Sequence, residues 1–101
     1  GYHAKINASK LGEDIKIISS VRIRKTQVFQ KIGKMLAEIP GVMGVYFVYG
    51  ETSFIVMARS KNTQELFEKM NLIYTSDDIE RATTSIVANT FKEDHRIIFD
   101  V

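Results

Sequence analysis

The chain contains no cysteine. Disulfides and thiolate metal sites are therefore excluded. The composition fits a reducing compartment, and the cytoplasm is the expected location. Long apolar runs are also missing: nothing in the 101 residues approaches the ~20 needed to span a bilayer. The opening GYHAKINASKLGED lacks the apolar core of a secretory signal, so no membrane partner is expected. Net charge is small as well, and +2 does not indicate a nucleic-acid surface. No Gly-rich phosphate loop and no activated-nucleophile pattern occurs. His3 and His95 stand far apart with no ligand-like spacing around either. Neither a metal site nor a cofactor is expected.

What remains is ordinary for a globular domain: 45% apolar and 26% charged residues. A chain of this size makes one domain that buries ~65% of its unfolded surface. The basic residues are unevenly placed. Lys16, Arg22, Arg24, Lys25, Lys31 and Lys34 run without an intervening acid, whereas Asp77, Asp78, Glu80, Glu93 and Asp94 make the later part acidic. Such a cluster reads as a solvated edge or as one end of a subunit contact. Direct DNA contact through Arg22, Arg24 and Lys25 is the other reading.

Residues 39–60, IPGVMGVYFVYGETSFIVMARS, carry the strongest signal. They read as strand (42–49), turn and strand (53–59). Val42, Tyr46 and Val48 alternate with Met43, Val45, Phe47 and Tyr49, so both faces are apolar. An antiparallel hairpin with one solvated face should be polar there. Something must cover both faces, and the chain has helices enough for one. An oligomer follows. The turn, Tyr49-Gly50-Glu51-Thr52-Ser53, exposes backbone groups and is the candidate ligand-contacting loop.

Residues 15–24 alternate as a strand, with Ile15, Ile17, Ser19, Val21 and Ile23 on one face. The period then changes. Val28, Phe29, Ile32, Met35, Leu36 and Ile39 make one helical stripe, with Thr26 as its N-cap and Pro40-Gly41 as its end. Leu66, Phe67, Met70 and Ile73 repeat the stripe after Asn62-Thr63-Gln64-Glu65, a capping sequence. Both stripes are expected in the core. The last strand lies in residues 79–91, its regular part near 82–90. The order is βαββαβ, a ferredoxin-like α+β sandwich. Two helices lie on one face of a four-stranded antiparallel sheet, and two copies stacked sheet to sheet form a dimeric α/β barrel. The divisions expected are an arm at 1–14, the domain at 15–91 and a tail at 92–101. In that tail, Ile97-Ile98-Phe99 can pair at an edge or dock on a partner.

These segments, in this order, resemble the C-terminal effector-binding domain of the Lrp/AsnC transcription regulators, also called the regulation-of-amino-acid-metabolism domain. The family pattern is Pro-Gly-Val, a strand, Gly-x-x-Asp, a strand, a helix, then Gly-Val-x-Arg-Thr-x-Thr and Ile-Val. It is met by Pro40-Gly41-Val42, Gly50-Glu51-Thr52-Ser53 and Asp78-Ile79-Glu80-Arg81-Ala82-Thr83-Thr84-Ser85-Ile86-Val87. Gly1-Tyr2-His3-Ala4 and Lys10-Leu11-Gly12 are similar to the linker that follows the winged helix-turn-helix in full-length members. Two positions depart from the pattern: Ser53 stands for the usual Asp, and Asp78 for the usual Gly.

The resemblance implies a non-enzymatic module that binds an amino-acid effector between subunits. The implied contacts are Tyr49, Gly50, Glu51, Thr52 and Ser53, with Arg81, Thr83, Thr84 and Ser85 opposite. It also implies a homodimer that assembles further into a tetramer or octamer, with DNA bound only through a helix-turn-helix absent from this sequence. The alternatives are a free-standing amino-acid sensor, or a small enzyme of a dimeric α/β-barrel family using Asn89 or the hairpin tyrosines as acid–base groups. For Arg81, pairing with Asp77 or Asp78 competes with holding a ligand carboxylate.

Overall fold

The computed structural model describes residues 14–93. The arm (bar residue 14), both histidines and Ile97-Ile98-Phe99 lie outside the described residues. Four strands and two helices follow the expected order: β1 (Ile15–Ile23), a 3-10 turn (Thr26–Val28), α1 (Phe29–Ala37), β2 (Val42–Phe47), β3 (Phe54–Ser60), α2 (Thr63–Tyr74) and β4 (Ile79–Ile86). The sheet order is β2-β3-β1-β4, with every neighbouring pair antiparallel.

Alternation in β1 buries Ile17, Ser19, Val21 and Ile23 against the helices and leaves Ile18 and Arg22 outside. β3 does the same with Phe54, Val56 and Ala58. The helices complete this layer with Ile32 and Leu36 from α1 and Leu66, Met70 and Ile73 from α2. The stripes are narrower than the sequence suggests. Met35 and Phe67, expected in the core, are 36% and 37% exposed. A helix on a flat sheet buries only its central line, and these two sit on its shoulders.

The α2 cap is as expected. Asn62 Oδ1 accepts the Glu65 amide at 3.1 Å, and Asn62 Nδ2 donates to Glu65 Oε2 at 3.3 Å. Thr26 does not cap α1. It lies inside the 3-10 turn that leads into the helix, and no side chain caps either start. The turn absorbs the first amides through its own backbone bonds, Val28 N to Lys25 O among them.

Gly41 makes the tight return from α1 to β2. Its φ is +97°, and an added Cβ would lie 3.0 Å from the Arg59 carbonyl oxygen, whose residue's amide donates to Gly41 O at 2.8 Å. Gly41→Ala is expected to lower stability by roughly 1–3 kcal/mol, read as a lower midpoint in urea unfolding.

β2 departs from simple alternation. Val42 faces Ala58, but Gly44 faces Met57, so one extra residue is inserted between them. Val45 then faces Val56, and Phe47 faces Phe54. The expected grouping of Val42 with Tyr46 is therefore wrong. Val42, Val45 and Phe47 turn to the helices, and Gly44 and Tyr46 turn away. The Tyr46 ring lies across Gly44, since a Cβ there would come within 2.9 Å of it.

β4 ends at Ile86, not near residue 90. Ile17 faces Ile86, and the last ladder bond is Val87 N to Lys16 O at 2.9 Å. Val87 and Thr90 beyond Ile86 have β-propensity but lie outside the strand.

The face away from the helices carries Ile18 and Met57 with Gly44 in one row, and Ser20, Ile55 and Tyr46 in the next. Ile18 and Tyr46 are 40% and 46% exposed. Nothing in this chain covers them among the described residues. Half of the basic cluster, in contrast, is paired within the chain: Lys16 with Glu93, Arg22 with Glu80 and Lys31 with Asp78.

Candidate functional site

The β2–β3 turn is closed by Val48 N donating to Ser53 O at 2.8 Å, which leaves Tyr49, Gly50, Glu51 and Thr52 as its tip. This tip is fastened to β1. Thr52 Oγ1 and Ser53 N both donate to the Val21 carbonyl, at 2.9 and 2.8 Å. Ser53 Oγ accepts the Ile23 amide at 3.1 Å. Arg22 Nη1 donates to the Glu51 carbonyl at 2.7 Å. Gly50 has φ +150° with no atom near the place of a Cβ, so its backbone is bare to solvent.

Between the tip and the open sheet face lies a cleft of about 790 Å³. Tyr49, Gly50, Glu51 and Thr52 form one wall; Arg81 and Thr83 of β4 form the other. Six of the nine expected contact residues thus come together. Ser20, Arg22 and Val48 also line the cleft. The sequence offered a signal for two of these: Ser20 and Arg22 share the outward phase of β1, the strand that lies between β3 and β4.

The other three expected residues lie elsewhere. The Ser53 hydroxyl is engaged by the Ile23 amide. Ser85 faces Ile18, on the row beyond Thr83. Thr84 turns to the helix side, where it lines a second hollow with Phe67, Met70 and Tyr74. There the Tyr74 hydroxyl donates to Ser19 Oγ at 2.7 Å, and Thr84 Oγ1 lies 3.1 Å from the same oxygen. Ser19 spends its one proton on the Thr83 carbonyl at 3.2 Å, so Thr84 donates to Ser19. A buried serine in mid-strand is thereby fully satisfied.

Burial raises the Tyr74 phenol above its ordinary value near 10, and the bond to Ser19 lowers it by less. The group is raised in the folded chain, so its contribution to stability is complete below pH 10. It is lost as pH climbs from there through the folded value. Unfolding followed in urea should show stability falling above pH 10. Tyr74→Phe should remove that part of the fall, at a cost of about 1 kcal/mol at neutral pH.

Arg81 forms no ion pair among the described residues. The expected pairing with Asp77 or Asp78 does not occur: Lys31 takes the Asp78 carboxylate at 3.1 Å, and the Asp77 carboxylate forms no ion pair among the described residues. Arg81 faces Arg22 across the strands instead. No described group of three acidic or histidine side chains could hold a metal ion. No described helix is long and apolar enough to cross a membrane.

The family model of the Lrp/AsnC ligand-binding domain matches residues 16–97, most of the chain. The chain belongs to this family. Among curated proteins, an uncharacterised HTH-type transcriptional regulator of Pyrococcus abyssi is 29% identical over 97 residues, covering 96% of this chain and 65% of the relative. The chain therefore spans just under two thirds of that relative's length. Its fold is that of E. coli AsnC, with TM-score 0.69 at 20% identity, over 85% of this chain and 58% of that one. The feast or famine regulatory protein of M. tuberculosis, solved with L-methionine, has TM-score 0.62 at 22% identity, over 87% and 58% of the two chains.

Proposed function

We propose that this Lrp/AsnC domain is the effector-binding and oligomerisation part of a cytoplasmic transcription regulator and has no catalytic activity of its own. The single observation that carries this reading is the cleft at the hairpin tip. It combines bare backbone at Gly50, two guanidinium groups and the Thr83 hydroxyl, which suits the charged end of an amino acid. It also opens at the end of the uncovered sheet face. A second copy stacked on Ile18, Met57, Ile55 and Tyr46 closes that face and brings a second cleft near the same interface.

The methionine in the M. tuberculosis neighbour supports an amino-acid ligand, and the naming of the Pyrococcus relative supports regulation of transcription. DNA contact belongs to a helix-turn-helix outside this chain. Ligand and assembly are then linked: an effector that fits one assembly better shifts the population toward it. The space between helices and sheet, where a barrel enzyme would hold substrate, is filled by Leu36, Leu66 and Met70, which supports the non-catalytic reading.

Amide spectra recorded against a panel of amino acids test the site. At least one should shift Gly50, Glu51 and Thr83 together. Shifts confined to other residues, or none with any amino acid, would refute it.

A further inference from the structure

We propose that the effector is an acidic amino acid, one bearing two carboxylates and one ammonium group. This rests on reading the hairpin-tip cleft as the effector site. Arg22 and Arg81 are directly opposed in the β1–β4 ladder and both line the cleft. Like charges facing each other across two strands repel. Glu80 relieves Arg22 only in part, through an exposed contact of 3.5 Å to its Nε. Arg22 also remains anchored by the Glu51 carbonyl, which fixes one guanidinium in the wall. Arg81 has no acidic partner among the described residues. Glu51 is the one acidic residue among those lining the cleft.

Two cationic residues, Arg22 held in place and Arg81 free of an acidic partner among the described residues, and one acidic residue are the complement of two carboxylates and one ammonium. A neutral amino acid brings one carboxylate for the two arginines; held by Arg81, it leaves Arg22 with only its exposed contact to Glu80. The departure at Ser53 fits the same picture. Its hydroxyl is turned to the Ile23 amide, so Glu51 is the acid left at the tip to receive an ammonium group.

Calorimetric titration of the intact chain with glutamate, aspartate, glutamine, asparagine, methionine and succinate tests this. The better of glutamate and aspartate should bind at least tenfold tighter than its amide, and tighter than succinate. Arg81→Gln, an exposed change checked for folding by circular dichroism, should erase the preference over the amide. Equal or tighter binding of a neutral amino acid overturns the acidic class while leaving the cleft as an effector site. Binding of none overturns both. A preference that survives Arg81→Gln overturns the role of the arginine pair, and succinate equal to glutamate overturns that of Glu51.

Discussion

Ile18→Asp should convert the assembled chain into a monomer without unfolding it. Ile18 lies at the centre of the open face, in register with Met57 on one side and Ser85 on the other. It is 40% exposed in the single chain, so the carboxylate stays hydrated there and the fold loses little. In a stacked dimer the same carboxylate is buried against an apolar sheet. The cost is ~3 kcal/mol or more, above a hundredfold in the dissociation constant. Size-exclusion chromatography with light scattering reads the change, and circular dichroism confirms the retained fold. An unaltered assembly would place the subunit contact elsewhere.

Leu36→Ala should have the largest effect on folding. Leu36 is fully buried in the last turn of α1, inside the core between the helices and the sheet. Truncation loses the transfer energy of the side chain and leaves a cavity, together about 2–5 kcal/mol. Small domains have only ~5–15 kcal/mol in total, so the midpoint should fall by ~10 °C or more. Phe67→Ala is the informative contrast. Phe67 belongs to the other helical stripe by spacing, but it is more than a third exposed and should cost about half as much or less. Thermal unfolding of the two variants side by side separates position in the fold from position in the pattern.

Much of the architecture was legible because two periodicities alternate cleanly along the chain. Ile17, Ser19, Val21 and Ile23 mark a strand, and Ile32 and Leu36 mark a helix. The doubly apolar hairpin was a sound reason to expect an uncovered sheet face. The extra residue near Gly44 was not legible, since a bulge shifts the phase without altering composition, and so Val42 was grouped with Tyr46. Strand length was not legible either. β4 stops at Ile86 although β1 runs on to Ile15, and Val87 and Thr90 beyond Ile86 carry no mark of that limit. The hairpin tip was found because glycine and its neighbours announce a turn. Arg22, Ser20 and Val48 are not legible in the sequence as cleft residues because the cleft is built from two strands and the hairpin tip. Only the register shows that Arg22 stands opposite Arg81 and beside the tip. Thr84 shows the converse: the resemblance puts it with Thr83 at the ligand, yet alternation sends it through the sheet to Ser19.

The central claim is that this chain assembles through its open sheet face and that an amino acid held at the hairpin tip biases the assembly. Sedimentation velocity at micromolar concentration, with and without a panel of amino acids, tests it most directly. The account predicts a dimer or larger species whose distribution shifts with at least one amino acid. A monomer unchanged by every amino acid would contradict it.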